Sequence, residues 1–578
     1  MSIILRILFT LLLVGLPSIA ECLDPVKVTI NGIEGNLAKS ALAALTIDQR
    51  KTQPHLTEEL VRRLHDKGSG EIAKALQPFG YYGPSIKGTL NQSDGVWQAI
   101  YTVEPGKPVQ VEEVDLRIEG PGKDNENLKR VVDDFPLKEG DTLNHPQYEK
   151  GKRNLQRTAL NQGYLDALLT AHRVEVFPSE HRARIFLHLE TGPQYRFGPV
   201  TFNQDVFREE FLGRFVPFEP GAPYAQSDLF KLQNALYDGG YFQNVNVRPL
   251  ADDADDLSIP IEVSLVPRKR HQYTAGIGFG TDSGLRGSLG WESRRINAWG
   301  HRMDAEAKLS QINQNFTTQY TVPLKNPVLE NRTYTAGWLK EDTDTNESET
   351  WLVGASHHHL RGKWKETLYL NYQSERFQVG EDRGRSQLLL PGVRWSRVKA
   401  DDRIYATRGS RFLLDIRGAL DALLSDTSFL QLRALTKVIR NLGPSGRILI
   451  RGEAATSLID EFSQVPASLR FYAGGDQSVR GYDYRELGPV DDNGDVVGGK
   501  HLLVGSFEYE HRLLKNWSVA AFVDTGNAID DWSDSLKTGA GIGLRWLSPI
   551  GPVRLDVASA LDKDGKPWRL HFVVGPDL

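Results

Sequence analysis

From about His271 onward, apolar and polar residues alternate with a period of two in one short segment after another. The large apolar residues of the first and last of these segments are Tyr273, Ile277, Phe279, Leu570, Phe572 and Val574. The opposite faces of both segments carry small or charged residues. Strands of this kind suit the wall of an antiparallel transmembrane β-barrel, which separates lipid from a polar lumen and leaves no backbone edge unpaired.

The length of this region sets the size of the predicted barrel. Residues 269–578 have room for about 16 strands of ~9–11 residues, with turns between them. A soluble β-sandwich or propeller is the alternative interpretation of such alternation. Strands that are rich in glycine and carry charges on one face favour the barrel.

The region before the barrel, residues 1–268, contains a repeated unit of about 80 residues. Each copy has a helical segment that ends in a glycine and an aromatic residue, at residues 79–82, 161–164 and 238–241. The glycine is the expected left-handed end of the helix, and the aromatic residue is expected to begin a strand. Two alternating strands follow, so each copy is predicted to be a β-α-α-β-β module. The modules are placed at residues 24–107, 108–192 and 193–268.

Residues 1–20 are predicted to be a secretory signal peptide. Arg6 supplies a short basic region, residues 7–16 are apolar, and residues 18–20 form a small-x-small cleavage site. A membrane-anchor helix is the alternative, but the apolar run is shorter than the ~20 residues that a bilayer requires. Cys22 is the one cysteine of the chain, which excludes an intramolecular disulfide, and Glu21 before it argues against lipidation.

Composition and motifs argue against several classes of function. The formal net charge of -5 argues against a nucleic-acid partner. The motifs of serine hydrolases, zinc proteases and phosphate-binding loops are missing from the sequence, so no enzymatic activity, catalytic residue or cofactor is predicted. His357, His358 and His359 cannot all face one metal ion and are predicted to lie in a solvated loop. The acidic runs at 252–256 and 491–495 lack the spacing of a calcium loop and are predicted to be turns.

Two short motifs near the C-terminus suggest a contact inside the barrel. Val-Arg-Gly-Tyr at residues 479–482 precedes Phe-Val-Asp-Thr-Gly at residues 522–526. Strand alternation turns carboxylates inward without an obvious cation on the same strands. A long loop folded into the lumen could bring Arg480 to Asp524 or Glu508, and a solvated arginine in an extracellular loop is the alternative.

Each residue of these motifs has an expected part in that contact. Gly481 is expected to permit close backbone approach, and Tyr482 is expected to pack beside the guanidinium. The predicted loop residues are Val479, Arg480, Gly481 and Tyr482, and their predicted acceptors are Phe522, Asp524, Gly526 and Glu508. We refer to this contact as the lock.

The motifs resemble those of the BamA superfamily of outer-membrane assembly proteins. In that family an inward-folded loop bears a V/I-R-G-F/Y motif and contacts an F/G-x-D-x-G strand motif. Residues 407–412 and 548–556 also resemble family phrases, and the repeats resemble POTRA domains. Three repeats resemble the TamA branch, the translocation and assembly module, whereas BamA itself has five and two-partner secretion translocators have two.

The resemblance implies a location and a mechanism. The barrel would lie in the lipid of a Gram-negative outer membrane, with its POTRA domains in the periplasm. Unfolded outer-membrane proteins, such as autotransporters, would be inserted through a lateral gate between the first and last strands. A TamB-like, inner-membrane-anchored periplasmic protein would be the partner. The sequence ends without the family's terminal aromatic residue, and Gly575 and Pro576 would weaken pairing of the last strand.

Two other functions remain open at this point. A two-partner-secretion translocator would share the lock but would export a single cognate protein. A passive porin would explain the barrel but would leave the repeats and the Arg480 motif without a purpose.

Overall fold

A computed structural model describes residues 26–53, 56–93, 95–343, 346–402, 405–459, 462–548 and 551–574. The predicted signal peptide, Cys22 and the C-terminal residues 575–578 lie outside the described residues. The chain forms two compact units. Among the described residues, the first comprises those up to 199, 218–229 and 249–261, and the second comprises those of 200–217, 230–248 and 262–574.

The predicted β-α-α-β-β modules are confirmed. The first consists of β1 (Val26–Asn31), α1 (Gly35–Ala44), α2 (Thr46–Gln49), α3 (Glu58–Leu76), β2 (Ser85–Ser93) and β3 (Val96–Glu104). The second consists of β4 (Gln110–Glu119), α4 (Glu126–Asp133), α5 (His145–Asn161), β5 (Leu168–Phe177) and β6 (Arg182–Glu190). The third consists of β7 (Arg196–Asn203), α6 (Glu209–Leu212), α7 (Gln226–Asp238), β8 (Phe242–Pro249) and β9 (Ser258–Pro267). The short helix α2 of the first module is an addition to the predicted pattern.

The last strand of each module lies in the centre of a three-stranded sheet, in the orders β1-β3-β2, β4-β6-β5 and β7-β9-β8. In the first two modules the opening strand pairs with it in parallel, and the middle strand pairs with it antiparallel. Along β6 every second residue is buried, and these residues are Ala183, Ile185, Leu187 and Leu189. The period of two read from the sequence therefore marks the face that packs on the helices.

The glycine that ends each anchor helix has the predicted left-handed backbone. Gly80, Gly163 and Gly240 have φ angles of 89°, 86° and 76°. In none of the three modules is the anchor aromatic the first residue of a strand, although β8 starts at Phe242, directly after Tyr241. In the second module Tyr164 is buried in the core, and β5 starts four residues later at Leu168. The prediction was wrong because the anchor ring packs into the core before the strand begins, as Tyr164 and Tyr241 do at 4% and 5% exposure.

The second unit contains an antiparallel sheet of 16 strands in simple sequence order, as predicted. The strands are β10 (His271–Gly280), β11 (Gly284–Ser293), β12 (Arg302–Leu309), β13 (Asn313–Pro323), β14 (Glu330–Asp342), β15 (Asn346–Arg361), β16 (Trp364–Val379), β17 (Asp382–Ala400), β18 (Gly409–Ala419), β19 (Phe429–Leu442), β20 (Gly446–Ile459), β21 (His501–Leu514), β22 (Trp517–Ile529), β23 (Lys537–Ser548), β24 (Gly551–Ala560) and β25 (Trp568–Val574). In the described part of the chain, no helix is long and apolar enough to cross a membrane.

The wall of the barrel follows the alternation expected from the sequence. Along β22 the residues from Trp517 to Asp524 are alternately exposed and buried. Trp517 stacks on Trp546 of β23 at a centroid distance of 5.8 Å, on the outward face. Phe522 and Asp524 lie on the inward face and are 5% and 0% exposed. The inward face of β22 is therefore covered by another part of the chain.

Candidate functional site: the inward loop and the barrel seam

The segment between β20 and β21 covers this inward face. Its buried residues Phe471, Val479, Tyr482 and Leu487 form one hydrophobic cluster with residues of β20, β21, β22 and β24. An extracellular loop that projected into solvent would expose these side chains. Burial of its apolar residues therefore holds this segment, which we call the inward loop, inside the barrel.

Arg480 of the inward loop contacts three carboxylates. Its Nε and Nη2 donate to the two oxygens of Asp524 at 2.7 Å and 3.0 Å, which is a bidentate arrangement. Its Nη1 donates to Glu508 at 2.7 Å and to Asp556 at 3.1 Å. The backbone N–H of Arg480 also donates to Asp524, at 3.1 Å. Arg480 is 7% exposed, so these contacts are made away from bulk water.

The charge of Arg480 is stable in this environment. Burial opposes a positive charge, but Asp524, Glu508 and Asp556 outweigh it and hold the pKa of the guanidinium above its usual range. Arg480 therefore carries its positive charge in this contact.

An aromatic ring covers one face of the guanidinium, and it is Phe522 of the strand motif. The guanidinium carbon of Arg480 lies 3.4 Å from the centroid of this ring. Tyr482 instead lies near Lys563, whose Nζ is 5.8 Å from the tyrosine ring. The expectation that Tyr482 packs beside Arg480 is therefore wrong. Alternation showed which side chains point inward, but it could not show which ring reaches the guanidinium.

Gly481 and Gly526 both lie where backbones approach closely. Gly481 has a φ of 100°, and a Cβ added there would lie 2.9 Å from the backbone nitrogen of Ala560. A Cβ on Gly526 would lie 2.8 Å from Cα of Val504 on the neighbouring strand. Both positions therefore exclude a larger residue.

We expect Gly481→Ala to displace the inward loop from the wall, because the methyl group would overlap the backbone of β24. Limited proteolysis of the folded protein should then cut between residues 470 and 499 at least about ten times faster, as a loss of one to two kcal/mol would cause. Gly494→Ala is the matched control, since Gly494 also has a positive φ, of 88°, but has open space around its Cα. Equal cleavage of the two variants would show that the close approach does not hold the loop.

Sequence reasoning missed a second cation beside the carboxylates. Arg545 of β23 donates from Nη2 to Glu508 at 2.7 Å, and its Nη1 pairs with Asp556 of β24 at 2.5 Å. Both residues stand on the inward faces of their strands, so alternation alone could have placed them in the lumen. The lock therefore depends on two arginines that share Glu508 and Asp556.

The charged network extends from the lock towards the turn between β17 and β18. Arg447 of β20 forms a bidentate pair with Glu510, at 2.6 Å and 2.9 Å, and donates to the carbonyl of Ala406 at 2.6 Å. Glu510 also lies 3.5 Å from Arg545. A continuous chain of alternating charges thus runs along the inner wall from the inward loop to the turn before β18.

The two strands that were expected to form the gate are the two ends of the 16-stranded order. Among the described residues, β10 and β25 are not ordered as hydrogen-bonded neighbours. Their outward residues Tyr273, Ile277 and Leu570 are 75%, 86% and 52% exposed. We call the junction between these strands the seam.

Side chains, rather than a ladder, connect the two strands at the seam. The rings of Phe279 and Phe572 are 6.1 Å apart, and the N–H of Phe572 donates to Oγ1 of Thr281 at 3.1 Å. Phe572 and Val574 are half-buried. The predicted gate residues therefore lie on both sides of one junction.

Comparison with known proteins defines the family. A model of the Omp85 superfamily domain matches residues 273–577. The chain belongs to the Omp85 superfamily. The model of the first POTRA domain of TamA matches residues 27–105 of this Omp85 chain. A second POTRA model, described as the surface antigen variable number repeat, matches residues 195–267. Its location is the outer membrane of a Gram-negative bacterium, with the POTRA domains in the periplasm.

Individual relatives are distant. The Omp85 chain is 23% identical over 396 residues to the outer membrane protein assembly factor BamA of Nitratidesulfovibrio vulgaris, covering 64% of this chain and 49% of the relative. It is 22% identical to BamA of Neisseria meningitidis serogroup B, over 67% of this chain and 57% of that relative. It thus spans about half the length of these relatives. The crystal structure of BamA from Haemophilus ducreyi lacking POTRA domains 1-3 matches with a TM-score of 0.69 and 18% identity. The match covers 81% of this chain and 99% of that structure, which shows a shared fold.

The histidine run of the Omp85 barrel differs from its prediction. His357, His358 and His359 lie within β15 and not in a loop. His358 is hydrogen-bonded to Thr367 and His359 pairs with Glu330. The prediction failed because three histidines carry no apolar alternation, although the strand continues through them. The acidic run at 491–495 does form a turn, in which the N–H of Asp491 donates to the carbonyl of Asp495.

Proposed function

We propose that this Omp85 chain inserts or translocates other β-barrel proteins, autotransporters among them, through a lateral gate at the seam. The observation that carries the proposal is the sheet order, which leaves β10 and β25 as its two ends in the described part of the chain. An unpaired strand edge in lipid costs several kcal/mol for each unsatisfied group. A client strand that pairs with such an edge removes this cost, so the seam favours β-augmentation by an incoming hairpin.

The lock supports the same proposal. Arg480 holds the inward loop across β21, β22 and β24, the part of the wall that leads to the last strand. A passive pore has no need of a buried arginine with three carboxylate partners, because burying charges costs free energy that only such partners offset. We infer that the loop stabilises the resting barrel and must remain in place for productive insertion.

The repeats are proposed to bind a partner and clients. The match of residues 27–105 to the first POTRA domain of TamA supports a TamB-like, inner-membrane-anchored periplasmic protein as the partner of the first module. For deletions, we propose module boundaries at residues 24–107, 108–192 and 193–268, which fall in the connections between the sheets.

The experiment that tests this proposal is affinity purification of the tagged full-length protein from mildly crosslinked cell envelopes, followed by mass spectrometry. We expect a large periplasm-spanning partner in the wild type and its loss when residues 24–107 are deleted. Deletion of residues 108–192 is the matched control for removal of a module. Recovery of a single secreted substrate instead would identify a two-partner-secretion translocator and overturn the proposal.

A further inference from the structure

A second polar cluster lies at the seam, apart from the lock. It joins the turn after β10, the inward loop and β25 through Thr281, Asp282, Asp476 and His571. The carboxylate and ring atoms of Asp282, Asp476 and His571 lie within 4.8 Å of one another. Because β10 enters the membrane from the periplasmic modules, its far end at Gly280 and this cluster lie on the extracellular side.

Asp476 stands at the centre of the cluster. It accepts hydrogen bonds from Oγ1 of Thr281 at 2.9 Å and from Nδ1 of His571 at 2.5 Å. Its backbone N–H donates to Oδ2 of Asp282 at 2.6 Å. One residue of the inward loop therefore contacts both sides of the seam at once.

The hydrogen bonds of His571 determine which tautomer its ring adopts. The backbone N–H of Gly481 can only donate, and it lies 2.9 Å from Nε2 of His571. Nε2 must therefore accept, and the ring proton resides on Nδ1 and points at Asp476. His571 thus contacts the lock motif on one side and the centre of the cluster on the other.

The same bonds argue against a bound metal ion. Both ring nitrogens of His571 already have hydrogen-bond partners, and neither offers a free lone pair to a cation. The guanidinium of Arg569 also lies 3.6 Å from Oδ1 of Asp282, where it would repel a divalent ion. The cluster is instead a hydrogen-bonded contact centred on Asp476, with Arg569 beside the one oxygen of Asp282 that has no hydrogen-bond partner.

We propose that Asp476 is a latch that holds the seam closed, with His571 as a positioning residue that couples the latch to the lock. The inference deepens the proposed lateral gate and rests on it. Opening the seam requires Asp476 to leave either Thr281 or His571. Since Asp476 and Gly481 are parts of one loop, movement of β25 disturbs the lock motif as well, so release of the loop and opening of the gate occur together.

The test measures seam opening directly in the full-length protein, reconstituted in lipid without a client. Nitroxide labels are placed on the outward residues Leu289 of β11 and Val557 of β24, which flank the seam, and their separation is measured by pulsed electron resonance. We expect Asp476→Ala to add a population that is longer by at least one strand spacing, about 5 Å. His571→Ala should do the same.

Conservative variants separate the latch from a general effect on folding. The side-chain oxygen of Asp476→Asn still accepts from Thr281, and the carbonyl oxygen of His571→Gln still accepts from Gly481, so both variants should retain the closed distance. Asp492→Ala, in an exposed part of the same loop, is the control. If Asp476→Ala does not fold, the label distance in His571→Ala is the test. If neither variant folds, these residues serve folding and the proposed latch is overturned.

An unchanged distance in folded Asp476→Ala and His571→Ala protein would overturn the latch. Client assembly, measured separately, tells the two proposals apart. If the alanine variants open the seam but assemble clients at the wild-type rate, the latch is supported and the proposed function is contradicted.

Discussion

Arg480→Ala is expected to lower client assembly by at least about tenfold while the barrel itself still reaches the outer membrane. The substitution removes the bidentate partner of the buried Asp524 and one of the two arginines that contact Glu508, and breaking such a pair costs about 3–5 kcal/mol. The barrel ladder does not depend on this contact, so insertion of the variant should be retained. Assembly is measured as the rate at which an autotransporter becomes protease-resistant at the cell surface.

Two further variants define what the lock requires. Arg480→Lys keeps the charge but loses the bidentate geometry to Asp524, so an intermediate rate is expected. Arg512→Ala removes an exposed arginine of β21 and is the control. Normal client assembly in Arg480→Ala cells would refute the role assigned to the lock.

A disulfide across the seam is expected to stop client assembly under oxidising conditions, and reduction should restore it. Phe279→Cys and Phe572→Cys place the two thiols on the same face of β10 and β25, where the native rings lie 6.1 Å apart. A Cys22→Ser background removes the native thiol. Because a client hairpin must enter between these strands, a covalent link should lower the assembly rate by at least about tenfold, whereas an ordinary surface change shifts it little.

A second disulfide serves as the control, since it uses the same chemistry without crossing the seam. Leu289→Cys and Ala307→Cys stand directly opposite each other on β11 and β12. This pair should leave assembly at its wild-type rate. Full activity of the seam-crosslinked protein would show that clients do not pass between β10 and β25.

Much of the fold was predictable because local periodicity determines it. Alternation with a period of two fixed the class of the barrel and its 16 strands, and the recurring glycines marked the ends of three helices. The short helix α2 and the delayed start of β5 were not predictable. They depend on how Tyr164 and its neighbours fill a core, which is a three-dimensional packing problem.

Some contacts of the candidate site were likewise predictable from local sequence patterns, and others were not. Motif order and alternation predicted that Arg480 faces Asp524 or Glu508, and the structure places it against both. The position of Phe522 beneath the guanidinium depends on the path of the inward loop, which alternation along the strands does not give. The contact of Asp476 with His571 joins residues of a loop and a strand that have no shared motif. Only the closed geometry of the barrel brings them together.

Site-specific photo-crosslinking to a stalled autotransporter barrel tests most directly whether clients pass through the seam. A photoreactive residue is placed at Phe279 or Leu570 at the seam, at Leu414 on the outward face of β18, and at Glu306 on the lumen side of β12. If clients pass through the seam, adducts with client strands form at both seam positions and none form at Leu414. Adducts between an exported passenger and Glu306, together with no adducts at the seam, would contradict passage of clients through the seam.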